Sequence, residues 1–206
     1  MNCFEEEGVK SYINDLRGGR EVLVDHIYGR LLEMLFPWGE GFLHEREDYP
    51  SPASQKQSDV TLSAVINQRR KKLIIIESKR EVQRSTTGPT KRAWSGAESQ
   101  LRKFCQVAYK DQGSLPENLP LFVAIAIGSQ IKFAEFSLLE IREGNRTLET
   151  SQLRYSTGAL SLISPEGQAK IQLTLENLKG QIDLVLQSLK TPATETPATE
   201  AQASSS

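Results

Sequence analysis

Asp59, Glu77 and Lys79 are the side chains whose types and spacing could do chemistry in this sequence. Alternate side chains of an extended chain share a face. In Leu73-Ile74-Ile75-Ile76-Glu77-Ser78-Lys79, Glu77 and Lys79 therefore project together while Ser78 points away. Ser58 to Ile66 reads as a second strand with Asp59 at its start. Antiparallel pairing around Asn67-Gln68-Arg69-Arg70 brings Asp59 to face Glu77 and Lys79. Two carboxylates held close repel unless a cation sits between them. Hard oxygen ligands suit Mg2+ (or Mn2+), which keeps water for substrate chemistry. A neighbouring ammonium can orient or help deprotonate such a water, or stabilise charge building on a phosphate. The plainer alternative is a surface ion pair at a strand end. The apolar run before Glu77, the placement of Asp59 and the helix that follows weigh toward a site.

These residues carry a family likeness. Ser58-Asp59 followed by Glu77-Ser78-Lys79 resembles the motif of the PD-(D/E)xK nuclease superfamily, with Ser where the motif has Pro. The resemblance spans residues 20 to 140. It implies an α/β fold: a restriction-endonuclease-like three-layer sandwich, its central mixed sheet flanked by helices. The chain is also similar to restriction-endonuclease-like proteins of filamentous fungi, in which the core is followed by a strand like Ala124-Ile125-Ala126-Ile127-Gly128. The resemblance implies metal-dependent phosphodiester hydrolysis. Asp59 and Glu77 would hold the metal, a carbonyl near Ser78 would add a ligand, and Lys79 would position the attacking water. The superfamily often adds an acid from the first helix, for which Glu33 is the candidate and Asp25, Glu21 and Glu47 are rivals; simple exposure of Glu33 is the competing account. Gln100, with Phe104 four residues on, resembles the family's Gln and aromatic pair, with Phe where Tyr is usual. A Gln there can orient Lys79, water or a nucleotide, and a plain exposed Gln is the alternative.

Elements must hold these side chains in place. Val22, Leu23, Ile27, Leu31, Met34 and Leu35 recur at helical intervals across residues 20 to 36, and Pro37 with Gly39 ends that helix. Residues 40 to 48 read as a first strand and Pro50 and Pro52 as a loop, with a second loop at 85 to 90. Ser95-Gly96-Ala97-Glu98 has the form of a capping box, predicting a helix from Gly96 to about Tyr109. Leu121 to Ile127 is apolar on both faces, as in a strand covered by helices on each side. Ile131 to Leu139 reads as the next strand, Gly144-Asn145 as a turn, and Leu153 to Tyr155 and Leu160 to Ile163 as short strands. Ser164-Pro165-Glu166 opens a last helix, whose seam Ile171, Leu175, Leu178, Ile182, Val185 and Leu189 either packs on the domain or pairs in a homodimer.

The 206-residue chain divides into a partly helical segment at 1–19, the core at 20–140, an extension at 141–190 and a disordered tail at 191–206, where two Thr-Pro-Ala-Thr-Glu repeats lack apolar content. A 38% hydrophobic and 25% charged composition is that of an ordinary globular chain. No apolar run exceeds strand length, and Glu5, Glu6 and Glu7 stand where a secretory signal carries basic residues. With two cysteines and no metal spacing, an intracellular location, nuclear or cytoplasmic, is expected, with no membrane. Net charge is −1, yet Arg69 to Lys103 holds eleven basic residues against three acidic ones. That surplus suits a polyanion, which makes nucleic acid the expected partner, DNA ahead of RNA. Solvated charge at the Arg69 to Lys72 hairpin tip is the alternative. Trp94, beside Lys91 and Arg92, is read as a packing residue or as a ring that stacks on a base. Phosphate loops and a zinc site are excluded, since the chain lacks a Gly-rich loop and His26 and His44 lack ligand spacing. The rival function is a noncatalytic module that keeps the fold and binds nucleic acid or protein. A protein-interaction domain that dimerises through the last helix is the third.

Overall fold

Asn67 and Gln68 have φ of 50° and 62°. Positive φ at both central residues defines the two-residue turn whose twist matches a right-twisted hairpin. That turn joins β2 (Ser58–Ile66) to β3 (Arg69–Lys79). The turn is shorter than the four residues the sequence suggested, so Arg69 and Arg70 begin a strand. They are exposed, but Lys71 and Lys72, expected to be solvated at a tip, are buried at 9% and 4% exposure. A lysine stem can cover apolar surface while its amine finds a partner.

The computed structural model describes residues 2–16, 21–48, 58–79, 89–112, 115–116, 119–143 and 146–190. The expected tail, the prolines at 50 and 52, positions 85 to 88 and the Gly144-Asn145 turn lie outside the described residues. Among the described residues the other elements are α1 (Glu7–Asp15), α2 (Glu21–Leu35), β1 (Phe42–Asp48), α3 (Lys91–Gln112), β4 (Leu121–Ile127), β5 (Gln130–Glu143), β6 (Arg146–Tyr155), β7 (Leu160–Ser161) and α4 (Pro165–Lys190). One mixed sheet runs in the order β1-β2-β3-β4-β5-β6, with β7 paired to β5. Every neighbour pair is antiparallel except β3 and β4, which the α3 crossover makes parallel. Position 140 falls inside β5, so β6 extends the same sheet.

The register divides the sheet into two faces. Phe42, His44 and Arg46 lie opposite Ala64, Leu62 and Val60, and Val60 opposite Ile76. This is the α2 side: the Phe36 and Phe42 rings meet edge to face, and His26 Nδ1 lies 2.9 Å from Arg46 Nη1. The odd residues of β2 and β3 near the site face the other way, toward α3. There Tyr109 packs on Phe136, and Lys132 sits over Trp94. The apolar strand residues Leu73 to Ile76 and Leu121 to Ile127 are all buried between these layers.

Two helix starts differ in kind. Thr90, not Ser95, caps α3, its Oγ1 accepting from Ala93 N at 3.2 Å, so the helix begins at Lys91, well before the expected Gly96. Ser164 Oγ does accept from Gly167 N, as the Ser-Pro-Glu start implied. At α4 the helix meets β7 so closely that a Cβ on Gly167 would lie 2.0 Å from the Ser161 carbonyl oxygen. The α4 seam turns inward: Ile171, Leu175, Leu178 and Ile182 are buried in the same core as the sheet. No helix among the described residues is long and apolar enough to cross a membrane.

Candidate active site

The β2–β3 ladder ends with Val60 opposite Ile76, and Asp59 and Glu77 are the next residues of the two strands beyond it. Alternation turns both side chains away from the face of Val60 and Ile76, toward α3. Asp59 Oδ2 accepts from the Ser78 backbone N–H at 2.5 Å, which ties the start of β2 to the end of β3. Lys79, one pleat beyond Glu77, places its Nζ 2.6 Å from Glu77 Oε1. The Glu77 side chain is 1% exposed and that of Lys79 is 31% exposed. The pair is therefore a carboxylate sealed in the protein and an ammonium that reaches the surface. Ser78 points to the opposite face, as alternation requires. Its hydroxyl is buried and makes no hydrogen bond among the described residues.

The site lies where α/β sheets hold ligands, at the carboxyl ends of parallel strands. Lys79 ends β3 level with Ile127 of β4, and Gly128 N donates to the Lys79 carbonyl at 2.9 Å. Beneath α3 the Cys105 thiol is pushed up by burial, and the negative charge of Glu77 adds to the effect. This thiol is a packing group facing an anion, not a nucleophile.

The remaining expected residues are not brought to the trio. Glu33 lies on α2, on the opposite side of the sheet, and its carboxylate meets Arg30 at 3.4 Å. Asp25 shares that helix, and Glu21 begins it. Gln100 is exposed on α3, and among the described residues no hydrogen bond joins it to Asp59, Glu77 or Lys79, whereas Phe104 is buried in the core. The expected roles of Glu33 and Gln100 fail on position: one helix covers the wrong face, and on the other the Gln points to solvent. Glu47 is the better placed acid. The pairs Arg46 with Val60 and Asp48 with Ser58 leave it across from Asp59, so Glu47, Asp59 and Glu77 cross three strands at one level. Its φ of 51° breaks the pleat there, and the side chain is exposed.

A second polar group shares this face. Ile125 of β4 lies beside Glu77 on one edge and Lys132 of β5 on the other. Lys132 Nζ is 4.1 Å from the Trp94 ring centroid and 6.0 Å from that of Tyr155. The Tyr155 hydroxyl donates to Glu98 Oε2 at 2.8 Å, and Arg102 donates twice to Glu98 Oε1, at 3.0 and 2.7 Å. Burial pushes Glu98 up, but the hydrogen bonds from Arg102 and Tyr155 outweigh it and hold the carboxyl below its ordinary value. Burial and the bond to Glu98 raise Tyr155. Sequence reading missed Lys132; the signal was a single charged residue between the apolar Ile131 and Phe133.

Asp59 and Glu77 supply the hard oxygens that Mg2+ or Mn2+ takes. Among the described residues no cluster of three or more metal-ligating side chains forms, so a main-chain carbonyl and water would complete the set. Compared with protein-family models, curated proteins and solved structures, the chain matches none.

Proposed function

We propose that this protein is a divalent-metal-dependent nuclease of PD-(D/E)xK type, built on a restriction-endonuclease-like sandwich. The observation that carries the reading is the buried Glu77 carboxylate, paired with Lys79 at 2.6 Å, while Asp59 is bonded to the intervening Ser78 N–H. A buried carboxylate is costly unless a cation, hydrogen bonds or a proton compensates it, and here Lys79 supplies a resident ammonium, with a second acid, Asp59, on the neighbouring strand. A bound Mg2+ or Mn2+ would polarise the scissile phosphate and lower the pKa of a water. The chain's own residues supply the rest. Asp59, fixed by the Ser78 N–H, presents its other oxygen in a defined direction. Lys79, one-third exposed, orients the attacking water or meets developing charge on the phosphate from the solvent side.

The test pairs binding with cleavage. Mn2+ binding followed by electron paramagnetic resonance should weaken in Glu77→Gln and Asp59→Asn. Cleavage of labelled DNA and RNA should need the metal and vanish in Lys79→Ala while the fold persists. Nicking that survives Asp59→Ala and Lys79→Ala together would overturn the assignment.

One observation favours a second reading, a noncatalytic module that binds nucleic acid. The Lys79 ammonium already sits against Glu77 as a metal would. That module would show salt-dependent nucleic-acid binding, no metal affinity above that of Glu77→Gln, and no product.

A further inference from the structure

Lys132, Trp94 and Tyr155 form a cation held between two aromatic rings, two strands away from Glu77 on the same face of the sheet. Two interstrand spacings are about 10 Å, so a polymer lying across the carboxyl ends of β3 and β4 and the amino end of β5 would meet both groups. Trp94 is half-buried and Tyr155 is 40% exposed, so each ring keeps a side open to solvent. The acid in this cluster, Glu98, is engaged by two Arg102 bonds and the Tyr155 hydroxyl, is about one-third exposed, and also attracts the Lys132 ammonium. Lys79 lies on the near side and the exposed Lys91 and Arg92 open α3 beside Trp94. An ammonium over one ring and near a second can meet a phosphate, while the rings offer π-faces on which a base can stack.

We infer that Trp94, Tyr155 and Lys132 form a stacking platform that takes an unpaired nucleotide of a single-stranded or frayed nucleic acid next to the Asp59, Glu77 and Lys79 site. The inference rests on the nuclease reading and deepens it by naming the substrate class. Stacking requires the π-face of a base, which a paired and stacked duplex interior does not offer. The phosphate of the same nucleotide meets Lys132. These three are positioning residues, since none of them lies on the strands that carry the acidic pair.

The chain contains two tryptophans, so Trp38→Phe leaves Trp94 as the only indole reporter. Its fluorescence would be titrated with a twelve-nucleotide oligothymidine, an oligouridine of equal length and a blunt duplex, in EDTA so that no hydrolysis occurs. Saturable quenching by the single strands, and little by the duplex, is expected; the two single-strand arms separate DNA from RNA. Lys132→Met should weaken binding about fivefold or more, Trp94→Ala by a similar factor, and Trp94→Phe by much less. Circular dichroism checks that each variant is folded, and Trp94→Phe serves should the alanine variant fail. Binding seen by anisotropy without any change in Trp94 emission would overturn the platform, as would equal quenching by duplex or full affinity in Lys132→Met. Asp59→Asn separates the two ideas, since it should abolish cleavage and leave quenching intact. Quenching in a protein that never cleaves would sink the nuclease reading alone, and cleavage without quenching would sink the platform alone.

Discussion

Replacing Lys79 with Met should destabilise the protein by about 2–3 kcal/mol, and the figure follows from where the two charges sit. Breaking a fully buried ion pair by removing one partner costs about 3–5 kcal/mol, because the other charge stays buried and uncompensated. Glu77 meets that condition at 1% exposure, while Lys79, at 31%, marks a water-accessible side that lowers the penalty. Methionine preserves the apolar stem, so the loss reports charge more than packing. For a chain of this size each kcal/mol shifts the melting temperature by about 2–4 °C, which gives a fall of about 4–12 °C. Urea unfolding of the parent, Lys79→Met, Glu77→Gln and the double variant closes a cycle. The double variant should recover most of the loss, since a neutral amide replaces the stranded carboxylate. Divalent metal should rescue Lys79→Met as well, by about 1.4 kcal/mol at ten times its dissociation constant. A loss below about 0.5 kcal/mol, or no coupling between the two sites, would refute the claim that Lys79 compensates Glu77.

Gly167→Ala should cost about 1–3 kcal/mol by urea unfolding, because its Cβ would overlap the Ser161 carbonyl oxygen and force α4 off β7. His26 is held below its ordinary value by burial and by the Arg46 guanidinium, so the folded state resists its protonation. Its contribution is therefore present above the ordinary imidazole value of 6.5 and lost as pH falls through the lower folded value. Melting temperatures at pH 7.5 and 5.5 should differ less in His26→Phe, which keeps the stack on Tyr12. Cys3 and Cys105 are both buried with raised thiols, so a thiol-reactive dye should label neither until the chain unfolds. Glu47→Gln should weaken Mn2+ binding less than Asp59→Asn or Glu77→Gln, and Glu33→Gln should leave it unchanged.

Most of the sheet was legible because strand periodicity is a strong local signal. Ser58–Ile66 and Leu121–Ile127 stand where alternation and double-sided apolarity put them. The hairpin that carries Asp59 and Glu77 was legible too, since alternation marks both strands and Asn67-Gln68 marks the turn. What failed was decided by tertiary context. A run of four basic residues looks like a solvated tip, yet the left-handed turn at Asn67-Gln68 ends before it, and Lys71 and Lys72 pack as strand residues. Ser95-x-x-Glu98 has the capping-box form, but Glu98 is used by Arg102 and Tyr155, and Thr90 caps the helix instead. Glu33 and Gln100 came from a pattern of residue types along helices, and such a pattern does not say which sheet face the helix covers. Lys132, Trp94 and Tyr155 come from three elements far apart in sequence, and the β5–β6 register with the seat of α3 brings them together.

The most direct measurement is single-turnover cleavage of an end-labelled single-stranded oligonucleotide, with Mg2+ and with EDTA, by the parent chain and by folded Glu77→Gln. The account predicts product from the parent only with metal, and none from the variant under either condition. Product that persists in EDTA, or equal product from Glu77→Gln, would contradict it.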